Sequence, residues 1–168
     1  LEVYVSDTDE WKNLDSLDKL KDYWKNDGRK HTVKVKYITE AGYVLSVVYK
    51  NDSDRNDNKE KSFTYDKTMP GGLSITYNQT PENNAQGYKF FDEESVTVTL
   101  TARDTISGIS YFRYTKDNGN TWETINVNDL KTETKDKEKI YSYSFDIKAQ
   151  YKNTIKFEAV DKADNKDS

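Results

Sequence analysis

Apolar and polar residues alternate along most of this chain, and a period of two is the signature of strands that bury one face. Leu1-Glu2-Val3-Tyr4-Val5 opens with it. Residues 32–37 set Val33, Val35 and Tyr37 on one face against Thr32, Lys34 and Lys36 on the other. Ala41-Gly42 makes a turn, 43–49 runs back as a largely apolar strand, and 61–66 sets Phe63 and Tyr65 against Thr64 and Asp66. The pattern recurs at 73–77, 96–102, 109–114, 122–127, 141–147 and 155–159, six short strands with turn signals between them. The strongest of those signals is Asp117-Asn118-Gly119-Asn120, which predicts a hairpin. Residues 131–139 alternate charges without apolar positions and read as a solvated loop.

One stretch departs from this period. Trp11, Leu14, Leu17, Leu20, Tyr23 and Trp24 recur every three or four residues, which predicts one amphipathic helix over about 9–26, closed by Asp27-Gly28. Lys12, Asp15, Asp18, Lys19, Asp22 and Lys25 form its charged face. The apolar stripe either packs on a neighbouring sheet or stays exposed as an aromatic-anchored docking face.

Phe63 to Gly72 divides the chain. An alternating segment ends in Met69-Pro70-Gly71-Gly72, where proline holds Met69 extended and the glycines permit a sharp turn. The expected domains are 1–69 and 70–168. An internal repeat supports the division: Gly42 to Asp52 and Asn153 to Asn165 are each a strand that empties into an Asp/Asn-rich loop. In the first unit a strand follows that loop, whereas the second reaches Ser168 where its counterpart should start. The second domain is therefore expected to lack its last strand, and the first, with four visible strands, its opening ones.

Composition narrows the classes. Apolar residues are 33% of 168, yet 13 Tyr, 6 Phe and 3 Trp supply aromatic area, so thin-cored β domains fit better than disorder. Cysteine is absent, which removes disulfides and thiolate chemistry. The 26 basic and 30 acidic residues are interspersed, without the basic stripe a nucleic-acid partner needs. No apolar run approaches membrane-span length. No signal peptide is visible and the chain starts at Leu1, as expected of a mature fragment.

Candidate chemistry is sparse. His31 is the only histidine, so triads and metal sites that need several imidazoles are excluded. No spacing singles out a glycosidase-like pair among the carboxylates. Asp52-Ser53-Asp54-Arg55-Asn56 resembles the start of a calcium loop, but Asp57 stands where glycine is needed and Phe63 where glutamate is. A solvated acidic turn is the expectation there, with no metal and no cofactor. Thr115 to Trp122 resembles the Asp-box hairpin, in which an Asp bonds backbone amides and a Trp covers the core beneath. That motif speaks for structure and not for catalysis.

Three stretches carry a family resemblance. Phe63-Thr64-Tyr65-Asp66-Lys67-Thr68-Met69-Pro70 matches the boundary pattern F-T-x-D-K-T-x-P, and Asp104-Thr105-Ile106-Ser107-Gly108-Ile109 is a second match. Ala159-Val160-Asp161-Lys162-Ala163-Asp164-Asn165 follows A-x-D-x-A-G-N except at Asp164, where glycine is usual. With Trp24 to His31 ahead of a strand, the chain resembles the tandem bacterial immunoglobulin-like repeats of Gram-positive cell-surface, adhesin-like proteins. The resemblance implies a mostly β chain of two immunoglobulin-like β-sandwich domains, with the helix inserted in the first. It implies a place outside the cell, attached to the wall through parts of the protein not present here, and it names no catalytic residue. The expected function is non-catalytic binding of a host extracellular protein or glycoprotein, immunoglobulin among them, with Trp11, Leu14, Leu17, Leu20, Tyr23 and Trp24 as the candidate face. A passive stalk or spacer and a glycan-binding module are the alternatives, and neither nucleic acid nor membrane insertion is expected.

Overall fold

A computed structural model describes residues 1–5, 8–28, 30–50, 56–85 and 88–168, with the side chains of 48–50, 56–58, 83–85, 88 and 90 left out. The described chain is mostly β and divides into two compact units, Leu1–Tyr65 and Asp66–Ser168. Asp66 to Pro70 thus belongs to the second unit.

The first unit is a set of small antiparallel sheets. Strand β1 (Glu2–Val5) lies between β2 (Glu10–Asn13) and β5 (Val35–Lys36). Strands β3 (Lys25–Asp27) and β4 (Lys30–Thr32) form a hairpin, and β6 (Ala41–Lys50) pairs with β7 (Asn56–Tyr65) as a long two-stranded ribbon. Val3 is its one fully enclosed apolar side chain among the described residues. Tyr37, Tyr43 and Phe63 cluster with ring centroids 4.3 to 5.4 Å apart, so aromatic contacts stand in for an aliphatic core.

The helix expected over 9–26 is replaced by β2 and a short 3₁₀ helix, Leu17–Tyr23. Asp9 takes a left-handed φ of 56° and turns the chain back on β1, where Trp11 sits opposite Tyr4 with their rings 5.5 Å apart. That cross-strand pair competes with the helix. Ser16 weakens it further, because its short polar side chain bonds nearby backbone: the Ser16 hydroxyl accepts from the Asp18 amide. The single strand expected at 32–37 is also split, β4 ending at Thr32 and β5 starting at Val35. Its alternation survives the split, with Val33, Val35 and Tyr37 half-buried and their neighbours exposed.

The second unit is two four-stranded antiparallel sheets packed face to face. One has the order β14 (Lys131–Lys135), β15 (Glu138–Lys148), β11 (Ser95–Arg103), β8 (Gly71–Tyr77); the other β13 (Glu123–Asn126), β12 (Ile109–Thr115), β16 (Lys156–Asp161), β17 (Lys166–Asp167). A small hairpin of β9 (Asn83–Ala85) and β10 (Tyr88–Phe90) connects β8 to β11. Val98, Leu100, Ala102 and Tyr141 from the first sheet meet Ile109, Phe112, Tyr114, Phe157 and Ala159 from the second in one core. The clean alternation of β11 is the cause: every second residue from Val96 to Ala102 is buried.

The solvated loop expected at 131–139 is instead β14, a tight turn, and the start of β15. All five residues of β14 are exposed. Its backbone is recruited by the ladder to β15, which leaves no apolar trace in the sequence. The strand expected to be missing after Asn165 begins as β17, whose two residues pair with Ala159 and Val160.

Candidate functional site

The densest polar chemistry lies at one end of the second unit, where three chain segments each deliver an aspartate. Asp66 precedes β8, Asp104 follows β11, and Asp161 ends β16. One carboxylate oxygen from each lies within 4.8 Å of the others. All three side chains are enclosed: Asp66 is 7% exposed, Asp104 8% and Asp161 0%.

Each acid is held by amides of its own loop. Asp66 Oδ1 accepts from the Thr68 amide at 2.9 Å. Asp104 Oδ1 accepts from the amides of Ile106 and Gly108. Asp161 Oδ1 accepts from Ala163 and Asn165 at 2.7 and 2.9 Å, and its Oδ2 from the Asn165 side-chain amide at 2.8 Å. Cross-links tie the loops together: the Ser107 amide donates to Asp66 Oδ2 at 3.0 Å, and Asn165 Nδ2 to the Asp66 carbonyl at 3.3 Å. Gly108 is required at its position, since its φ is +79° and a Cβ would meet the Tyr141 hydroxyl at 3.0 Å. Asp164, standing where the resembling repeats carry glycine, takes the left-handed φ of 65° that glycine favours.

Electrostatically the cluster is unbalanced. Among the described residues no lysine, arginine or histidine forms an ion pair with any of the three. Burial raises the Asp104 pKa, the Gly108 and Ile106 amides partly oppose this, and the neighbouring Asp66 and Asp161 charges add to it. Hard cations are bound by such all-oxygen groupings, so these carboxylates are the residues that could hold one. The acids are enclosed on the inside of three loops, so no sugar ring can lie between them as a glycosidase pair requires.

A second constellation is the turn at Asp117. Its Oδ1 accepts from the Thr115 hydroxyl at 2.6 Å and the Thr121 amide at 2.8 Å, and its Oδ2 from the Thr121 hydroxyl at 2.6 Å. These bonds, the Thr115 hydroxyl first, hold its pKa down to about 2. Asn118 and Gly119 both take positive φ, and β12 and β13 pair on either side as the hairpin signal predicts. Trp122 does not join the core beneath. It is half-buried under the Arg113 guanidinium, 4.8 Å from the ring centroid, and Arg113 Nε bonds Glu158 at 2.6 Å.

The six candidate binding residues do not form one helical face. Trp11 lies in β2 and is 43% exposed; Leu14 follows it, half-buried. Leu17, Leu20 and Tyr23 occupy the 3₁₀ helix, Leu17 being 70% exposed, and Trp24 caps its end at 38%. The His31 ring bonds Asn26 across the exposed β3–β4 hairpin at 2.6 Å. Residues 52–55 of the calcium-like loop lie outside the described residues, and Asn56 is described in its backbone only. A groove of about 860 Å³ at the other end of the second unit is lined by Tyr77, Phe91, Val96, Ile147, Tyr151 and Ile155, with Lys89 Nζ 4.8 Å from the Tyr77 ring centroid.

Sequence reasoning missed the three-aspartate cluster. Its signal was present, because each of the three motif stretches contributes one of the acids just where a predicted strand ends. No protein-family model matches the chain, and no curated protein or solved structure matches it either.

Proposed function

We propose that this chain is a non-catalytic segment of a bacterial surface protein, built of immunoglobulin-like domains, that binds a host extracellular protein or glycoprotein. The domain reading is supported by the strand order of the second unit. The sheet β8-β11-β15-β14 follows the A-B-E-D order of a constant-type immunoglobulin domain, and β12-β16-β17 follows C-F-G, with β13 added beside C.

The observation that carries the binding reading is the exposure of Trp11, Leu17 and Trp24 on the first unit, at 43%, 70% and 38%. Large apolar side chains so placed contribute little to a core, and aromatic anchors of this kind supply binding energy disproportionate to their number. A spacer has no use for them.

The test is capture of host proteins from serum and mucosal secretions by the immobilised chain, with purified immunoglobulin as a named probe. Leu17→Glu with Trp24→Glu, which leaves the Tyr4–Trp11 pair in place, is expected to keep the wild-type circular dichroism spectrum and lose the captured protein. A folded double variant that captures as well as wild type removes the binding face from these residues. A wild-type chain that captures nothing favours the spacer, and glycan-array signal abolished by Tyr77→Ala favours the sugar-binding alternative.

A further inference from the structure

We propose that Asp66, Asp104 and Asp161 form a calcium site that fastens the loop end of the second unit. Three carboxylates converge within 4.8 Å, shielded from water and with no cationic side chain paired to them among the described residues. Buried charge without a counter-charge is costly, and a divalent cation at their centre removes that cost. Lys162 Nζ comes near Gly108, yet it makes no ion pair with the acids.

A second observation does not involve the acids' own bonds. The Ser107 hydroxyl oxygen is shut off from solvent and has no hydrogen-bond partner among the described residues, although the amide of the same residue bonds Asp66 Oδ2 at 3.0 Å. Its neighbours Ile106 and Gly108 both donate amides to Asp104, so Ser107 is held against the cluster from either side. An enclosed, unpartnered hydroxyl on that loop is a neutral oxygen that a cation held by the three carboxylates could take as a further ligand. Asp104 Oδ2 likewise takes no donor among the described residues, since both amides go to Oδ1. The donor set is all oxygen, which suits calcium or magnesium and not zinc. Its ligands come from three separate loops, and such an irregular frame suits the flexible coordination of calcium better than the strict octahedron of magnesium.

The site is tested by titrating the whole chain with calcium, magnesium and terbium. Readouts are thermal unfolding and terbium luminescence excited through tyrosine, the Tyr141 hydroxyl being beside Gly108. Calcium is expected to half-saturate between about 10⁻⁵ and 10⁻³ M. At about 5 mM it should raise the melting temperature of the second unit by about 5–15 °C over EDTA, with magnesium at least about tenfold weaker. Asp104→Asn is expected to abolish both responses, yet melt no lower than wild type in EDTA, because it relieves a buried like-charge contact. Ser107→Ala keeps all three carboxylates, so it should weaken calcium binding without changing the melting point in EDTA. A wild-type chain with no luminescence and no calcium-dependent shift overturns the site. So does a calcium response undiminished in Asp104→Asn, and magnesium acting at the same concentration as calcium overturns the assignment of the ion.

Discussion

Tyr114 offers the sharpest test of how the second unit is held together, because its ring and its hydroxyl do separable work. The ring is 1% exposed and crosses from β12 to the opposite sheet, stacking on Phe145 with centroids 4.5 Å apart and a 22° interplanar angle. The hydroxyl reaches the sheet edge and donates to Glu123 at 2.9 Å. Tyr114→Phe removes the hydroxyl with its bond to Glu123 and leaves the ring in place. Glu123 keeps Lys116 at 2.8 Å and is half exposed, so no buried charge is stranded and the cost is about 1 kcal/mol. Tyr114→Ala removes the inter-sheet ring as well and leaves a cavity, at about 3–5 kcal/mol. For a unit of this size those values correspond to melting shifts of about 5 °C and about 15–25 °C. The assay is urea unfolding followed by Trp122 fluorescence in a Trp11→Phe, Trp24→Phe background, which leaves that indole as the sole reporter. If Tyr114→Phe costs as much as Tyr114→Ala, the hydroxyl and not the inter-sheet stack carries the energy, and the packing argument fails.

Two further outcomes follow from the turns. Asp117 has its pKa depressed from the ordinary 3.8 to about 2, so the folded state gains from its ionised form above about pH 3.8 and loses that gain as pH falls through about 2. Asp117→Asn should flatten this acid limb, and an NMR titration of the Asp117 carboxyl with a midpoint at or above the ordinary value would refute the turn geometry. At the β14–β15 turn, Asp136 and Lys137 both hold positive φ, at 53° and 71°. Replacing them by Asn-Gly should stabilise the second unit by about 1 kcal/mol, and a lower melting temperature would mean that the turn is not left-handed at both positions.

What could be read from the sequence, and what could not, follows from whether local pattern and burial agree. In β11 and along Tyr141–Ile147 of β15 alternate residues turn toward the core, so a period of two in the sequence is a direct image of the packing, whereas β16 buries Ala159, Val160 and Asp161 in succession. Strand β14 is held by backbone bonds alone and lies wholly exposed, so no residue choice records it. Trp11 to Trp24 shows the opposite failure. A three-to-four spacing was present, but a helix needs that stripe to be buried, and Leu17 and both tryptophans remain at the surface. With no burial to reward the helix, the Tyr4–Trp11 pair and the bond between the Ser16 hydroxyl and the Asp18 amide decide the backbone.

The candidate site was hidden for a different reason. Asp66, Asp104 and Asp161 stand in motifs whose local sense is turn chemistry, each carboxylate bonding amides two to four residues ahead of it. Such a bond explains an aspartate completely when one loop is considered alone, since a side chain that caps its own turn needs no second purpose. The charge problem arises only when the two sheets bring the three loops to the same end, and then local satisfaction no longer accounts for the arrangement. Asparagine can accept the same amide bonds without carrying a charge into a buried space. Three turns that each deliver a carboxylate to one enclosed place, with no cationic side chain paired to them among the described residues, leave a charge imbalance that a bound cation would relieve.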